Sequence, residues 1–363
     1  MTQAPLTAMH LSHEFSGHIY IFQSFDVGDI IDLEVVKKEG LLHHKTLQLS
    51  KYFKNYHIPL EVELPESHVT QHCDSIKLHQ FGAITLRYKV PFTATFQNLR
   101  TKINEIEDYY EEQSNRDSLI LFDKIKSAIK KPNFYHLKKS YLVIQINSTG
   151  PFSSKEFLEQ YGDMIASTLR FETETLSEYK KNEILHNAFG YYRGDLIIID
   201  VEAAFIYDEE YEELLDLFEF VNLQHLELQY YDKLLDDKLS AAYKEAQPLT
   251  IFAYLPLWGT IGVNRVGELG NLKVDISVIT ERLENSIKLT GEPYYTELYE
   301  ALTQTLGLQM WKESLDKKLS IIHDISDVFE NKIRTVREDL FNILIAVLIF
   351  VECSFAIMSY LNH

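Results

Sequence analysis

Phe341 to Leu361 reads FNILIAVLIFVECSFAIMSYL and carries a single charged residue, Glu352. An apolar run of roughly 20 residues is what a helix needs to cross a hydrocarbon core roughly 30 Å thick, so a transmembrane anchor over 341–361 is predicted. That stretch constrains everything before it, because nothing upstream is comparably apolar for comparably long. The preceding chain is therefore expected to fold in water and to be held to membrane lipid through its carboxyl end. The opening MTQAPLTAMHLSHEF has neither a basic n-region nor an apolar h-region, so no signal peptide is expected. Lys332, Arg334 and Arg337 stand just ahead of the span, and by the positive-inside rule they predict a cytoplasmic location for that side. The expected topology is single-pass and tail-anchored, with the bulk of the chain in the cytoplasm.

A heptad seam leads into the span. Leu319, Ile322, Ser326, Phe329, Ile333, Val336, Leu340, Ile343, Val347 and Phe350 alternate steps of three and four, which keeps one stripe facing a partner helix. The partner is either a second copy of the chain, making a homo-oligomer, or a preceding helix starting near Pro293 with apolar Leu298, Leu302 and Leu306. Helical patterning leaves both open. Glu352 falls two residues past Phe350, on the side away from the seam, where an isolated charge in lipid costs at least about 2.5 kcal/mol. An oligomer contact through a neutral carboxyl is the preferred reading of Glu352, with an ion or proton path as the alternative.

The formal charge of -19 argues against nucleic-acid binding, which is driven by basic surface. The 22 tyrosines and 21 phenylalanines supply material for a sizeable core. Acid is concentrated between Asp195 and Glu219, a segment whose carboxylates are expected to form a solvated face. The two cysteines, Cys73 and Cys353, are too differently placed to pair, which fits a reducing compartment.

Along the chain, His18 to Phe25, Leu60 to Leu64, Ser75 to Phe81 and Ala83 to Pro91 read as strands, the last two joined tightly at Gly82. A short helix is predicted over Ile30 to Lys38, and a longer one over Thr95 to Ala128 with a break near Asn115. Tyr141 to Ile146 is an apolar strand. Ser153, followed three residues later by Glu156, opens a helix to Leu169. Phe189 to Tyr207 holds two strands or one bent one, including DLIIID, and a long helix runs from Glu209 to about Glu245. Leu249 to Val263 is apolar but too short to span, and reads as a buried connection, with a membrane-surface segment close to the anchor as the alternative. The fold class is thus a mixed α+β soluble region, an all-α stalk and one carboxyl-terminal transmembrane helix. The predicted divisions are 1–135 and 136–247 as two α/β subdomains, 248–340 as stalk and 341–361 as anchor.

There is no GxxxxGK[ST], GxGxxG or GxSxG, so phosphate-cradling loops and a nucleophile elbow have no support. His68, His72, Cys73 and His79, with Asp74 among them, form the one concentration of metal-ligand residue types. HxxxH puts two imidazoles on one helix face, a zinc geometry, but the glutamate of HExxH is missing and a loop is expected after Pro65. A membrane-bound enzyme using a divalent metal at His68, His72 and His79 or Cys73 is the alternative to a non-catalytic scaffold. No catalytic residue and no other cofactor is indicated, and a protein partner is not identified.

DLIIID at Asp195 to Asp200 leads into LLDLFEFVNLQHLELQYYDKLLDDKL, and MWKESLDKKLSIIHDISDVF at Met310 to Phe329 leads into REDLFNILIAVLIFVE. In these three stretches the chain resembles the "required for meiotic nuclear division" family. The resemblance covers roughly Asp195 to the end, with Glu338 and Glu352 standing where that family has one acid before its span and another inside it. The family's alanine-rich "ALAQS" run is replaced here by FEFVNLQHLEL. What the resemblance implies is a membrane-anchored, self-associating scaffold, and it brings no catalytic residues.

Overall fold

In chain order the described strands and α-helices are β1 (Phe15–Asp26), β2 (Ile30–Ile31), α1 (Leu33–Lys38), β3 (His44–Lys45), β4 (Leu60–Val62), β5 (Cys73–His79), β6 (Ala83–Ala94), α2 (Phe96–Ile125), β7 (Ile129–Lys130), β8 (Lys138–Ile146), α3 (Ser154–Leu169), α4 (Glu178–Leu185), β9 (Ala188–Phe189), β10 (Leu196–Ile199), β11 (Ala203–Tyr207), α5 (Glu212–Glu245), α6 (Pro293–Thr305) and α7 (Leu308–Leu361). The computed structural model describes residues 13–45, 47, 58–68, 70–134, 137–147, 153–190, 194–245, 274 and 293–361. The side-chain surroundings of 238, 241–245, 326, 329, 330, 332, 333, 336, 337, 360 and 361 are outside that description. The expectation for Leu249 to Val263, and those for the Phe329, Ile333 and Val336 side chains, therefore lie outside the described residues. The chain forms two compact units, residues 1–230 with 283–310 and residues 231–282 with 311–363.

In the first unit β1 is the spine, paired antiparallel with β6 on one side and β8 on the other. The strand order is β3-β4-β5-β6-β1-β8-β11-β10-β9, nine strands among the described residues. β11 lies parallel to β8, and β2 and β7 form a separate ribbon. The sheet takes strands from both sides of residue 135, so residues 1–135 and 136–207 share one hydrogen-bonded surface.

Side chains alternate across a strand, and here each face of the central strands is covered. Ile19, Ile21 and Phe25 of β1, with Ile84 and Leu86 of β6 and Leu142 and Ile144 of β8, join Leu99, Ile103 and Leu121 of α2 and Phe157 and Ile165 of α3 in one buried cluster. The opposite face carries α5. Phe218 stacks on Tyr141 with ring centroids 5.8 Å apart, Asn222 donates to Ser24 Oγ at 3.2 Å, and Leu223 and Leu226 pack with Ala83.

The local signals for these elements are chemical. Ser153 accepts from Glu156 N while Glu156 accepts from Ser153 N, a reciprocal box that satisfies two amides the helix leaves open. Ser153→Ala is expected to destabilise the first unit by about 1 kcal/mol, read as a shift in the urea midpoint of the full chain in mild detergent. Gly82 turns β5 into β6 with φ 91°, and a Cβ there would sit 1.7 Å from the carbonyl oxygen of Gly28, so the hairpin requires glycine.

Two expectations are corrected. α2 has no break at Asn115, because the hydroxyls of Ser114 and Ser118 bond to Glu111 O and Asn115 O within the helix. The polar run is satisfied internally and does not end the element. The helix expected from Ile30 begins at Leu33 instead, with Asp32 as its N-cap, because Ile30 and Ile31 pair with β7.

α6 also belongs to the first unit. Leu298 and Leu302 are buried, Tyr295 donates to Glu213 at 2.7 Å, and Tyr299 donates to Gln224 at 3.1 Å. In the second unit the far half of α5 lies beside the start of α7. Lys318 pairs with Asp232 and Asp236, each at 2.7 Å, and Ser314 donates to Asp232 at 2.8 Å. Leu235, Leu239, Leu315, Leu319 and Ile322 are buried. The first residues of the predicted seam thus have α5 of their own chain beside them, a helix that the pattern alone did not nominate.

Candidate functional site

The sequence SIKLH alternates apolar and polar, and the pleat sends Ile76 and Leu78 of β5 into the α2 side while Lys77 and His79 face α5. Thr85 lies opposite Lys77 on β6, and Arg87 is two residues on. Asp216 and Glu219, one turn apart on α5, meet them. Lys77 Nζ lies 2.8 Å from Glu219 Oε2 and 3.6 Å from Asp216 Oδ1. Thr85 Oγ1 donates to Glu219 Oε1 at 3.0 Å and lies 3.1 Å from His79 Nε2. Arg87 donates to Asp74 at 2.8 Å through Nε and stands 3.8 Å from Asp216.

Burial opposes the charge on Glu219, but Lys77 and Arg87 outweigh it and hold its carboxyl below the ordinary range. For Asp216 burial wins over Lys77, and its carboxyl is shifted up. Burial pushes His79 down to about 3, so it sits neutral beside the pair. Two cations against three carboxylates, with a hydroxyl and an imidazole filling the remaining valences, make a buried clamp that holds α5 on the sheet. The acidic segment is consequently not one solvated face: Asp195, Asp200 and Glu219 are buried, whereas Glu209 and Glu210 are exposed. Asp200 is held by Arg170 at 2.8 Å.

The predicted metal-ligand residues are distributed over different surroundings. His68 ends a 3-10 turn and its Nδ1 lies 2.7 Å from Ser67 Oγ. His72, at φ 65°, has Nδ1 2.7 Å from Tyr110 OH. Cys73 packs against the α2 side of the sheet, because a bulge between Cys73 and Ser75 shifts the alternation, and burial pushes its thiol up to about 12. His79 is on the opposite face. Among the described residues no group of three or more His, Cys, Asp or Glu is placed to hold a metal ion. Beside Cys73, Asp117 of α2 accepts from Tyr88, Thr70 and Gln113 at 2.8, 2.8 and 2.9 Å and ties β6 and the loop before β5 to the helix.

α5 is buried on every side from Leu217 to Leu228, polar residues included. Among the described residues Gln224 Nε2 and both carboxylate oxygens of Glu227 have no hydrogen-bond partner, and burial holds the Glu227 carboxyl well above the carboxylate range.

The end of α7 has the opposite character. Glu338–Ser359, 22 residues, is long and apolar enough to cross a membrane, and none of it is buried. Phe341, Ile343, Val347 and Phe350 are all exposed, as is Glu352. Cys73 and Cys353 are both free thiols.

Uncharacterized protein MJ0711 of Methanocaldococcus jannaschii is 26% identical over 208 residues, which cover 56% of this chain and 62% of that protein, so the match spans less than two thirds of the relative. No solved structure matches the chain. The family model described as the N-terminal domain of uncharacterized protein MJ0711 matches residues 16–213, from β1 through the sheet to the first turn of α5, and the chain belongs to that family.

Proposed function

We propose that this protein is a membrane-anchored, self-associating scaffold or tether that works without catalytic chemistry and holds its α/β unit at the cytoplasmic face of a lipid bilayer. The observation that carries the reading is the unburied apolar length of Glu338–Ser359. Its 22 residues make a rod of about 33 Å at 1.5 Å per residue, matching the hydrocarbon thickness. Large side chains such as Phe341, Phe350 and Phe355 are more than half exposed along it, and burying them in lipid is strongly favourable. The order of basic residues Lys332, Arg334 and Arg337 before the span supports a cytoplasmic location for the folded units.

The resemblance of the carboxyl-terminal half to the "required for meiotic nuclear division" family supports the same reading, and it concerns a part of the chain lying mostly beyond residues 16–213. The buried clamp fits a scaffold as well: its two cations are spent on its own carboxylates, and it presents no nucleophile to a substrate. Self-association is assigned to α7, beyond the part that lies beside α5.

The test is fractionation of the full chain with sealed vesicles, followed by an alkaline carbonate wash. Retention in the pellet until detergent is added is expected. Release by the wash overturns the anchor, and protease protection of the α/β unit in vesicles whose cytoplasmic side faces outward overturns the orientation.

A further inference from the structure

The span has a second stripe, opposite the apolar seam. Asn342, Ile345, Ile349, Glu352, Ala356 and Ser359 follow one another in steps of three and four, and all six are exposed. On the seam side the one hydroxyl, Ser354, already bonds Phe350 O at 2.7 Å within its own helix. Asn342, Glu352 and Ser359 have no such partner among the described residues. Polar groups inside a membrane face protein and not lipid. Among the described residues the chain offers one candidate span and no second one to meet them.

From this juxtaposition we infer that, within the membrane, α7 pairs in parallel with α7 of a second copy of this chain through the Asn342, Glu352 and Ser359 stripe. The inference rests on the membrane reading above and names its partner and contact face.

The residue types argue for an identical partner. Two copies anchored from the same side are parallel, and a two-fold axis along the membrane normal sets each residue against its own copy. Every polar group on the stripe must therefore satisfy itself. A carboxamide, a carboxyl and a hydroxyl can each pair with a like group, whereas a lysine or arginine could not. Ala356 and Ser359 are small, which lets the backbones approach. The repeat of three and four drifts slowly around a 3.6-residue helix, giving the left-handed crossing common among membrane helices. Ile343, Val347, Phe350 and Ile357 are then left facing lipid.

The experiment uses the full chain with Cys353→Ser, reconstituted in phosphatidylcholine vesicles, with one new cysteine either on the stripe (Ile349→Cys) or on the seam (Val347→Cys). Oxidative disulfide formation requires Cα atoms within about 7 Å. The stripe variant is expected to cross-link many times faster than the seam variant. In the otherwise native chain Glu352→Leu is expected to weaken the dimer about tenfold, while Glu352→Gln, which still donates and accepts, keeps most of it. Equal or faster cross-linking at Val347→Cys, or unchanged dimerisation in Glu352→Leu, overturns the inference. So does an absence of cross-links in both variants, and if the chain still resists an alkaline wash the anchor itself stands. Release by that wash removes the anchor and the pairing together.

Discussion

Lys77→Met is expected to lower the stability of the α/β unit by about 3 kcal/mol, because it leaves Glu219 buried without its nearest cation and with only Arg87, 4.0 Å away, to oppose its charge. The side chains of Lys77 and Glu219 are each 7% exposed, and the pair lies at 2.8 Å, so water cannot take the place of the missing ammonium. Glu219→Leu is expected to cost a similar amount from the other side. The double replacement Lys77→Met with Glu219→Leu should cost much less than the sum, since apolar residues often substitute for a buried ion pair with little loss. Urea unfolding of the four proteins in mild detergent gives the coupling directly. Additive effects of the two single changes would mean that the clamp is not energetically a unit.

Within the same cluster Glu219 and His79 make stability fall in acid, against a smaller opposing effect of the raised Asp216 carboxyl. Glu219 has a depressed carboxyl, so its contribution is present above the unfolded-state value and is lost as the pH drops through the folded one. His79 is pushed from 6.5 to about 3, chiefly by burial, and therefore stays neutral in the fold while the unfolded chain takes up a proton. Stability due to His79 is present above pH 6.5 and declines below it until about pH 3. His225, lowered to about 4 by burial, adds to the slope in the same direction. Replacing His79 by glutamine should flatten the upper part of this decline in a pH series of urea midpoints.

The second large effect has the opposite sign. Glu227→Leu is expected to stabilise the unit at pH 8 by about 1–3 kcal/mol, the usual penalty for a buried polar group without a partner. Both Glu227 oxygens lack a partner among the described residues, and burial raises the carboxyl well above 4.5. A raised carboxyl costs nothing below the unfolded-state value, and its penalty grows as the pH rises from there toward the folded one. The gain from Glu227→Leu should accordingly be greatest at pH 8 and smallest near pH 4.5. A loss of stability at pH 8 would show that Glu227 has a favourable partner in the working protein.

Much of the architecture could be read from local chemistry. The Ser153 and Glu156 capping box, the Gly82 hairpin and the DLIIID strand each announce themselves within a few residues. The clamp could not be read in the same way. Lys77 and Thr85 meet Glu219 across well over a hundred residues of chain, and alternating polar positions on a strand usually face water. α5 covers that face here, which turned an acidic segment expected to be solvated into one with buried members. The signal was present as two neighbouring strands, SIKLH and AITLRYK, with charges on the same alternate positions, but only the pairing register shows that they share a face. The unbroken α2 was misjudged for a related reason, since Ser114 and Ser118 find acceptors in their own helix. The partner of the first part of the seam was also beyond pattern: Lys318 meets Asp232 and Asp236, and a heptad repeat does not say which helix lies beside it.

If the bare apolar end of α7 lies in lipid, the native thiol at Cys353 reports on it. Cys353 is exposed on the helix, whereas the Cys73 thiol is partly buried and held up to about 12. With full chain in sealed vesicles, a membrane-impermeant maleimide should leave Cys353 unmodified until sodium dodecyl sulfate is added. Prompt modification of Cys353 in intact vesicles would place that helix in water and contradict the account.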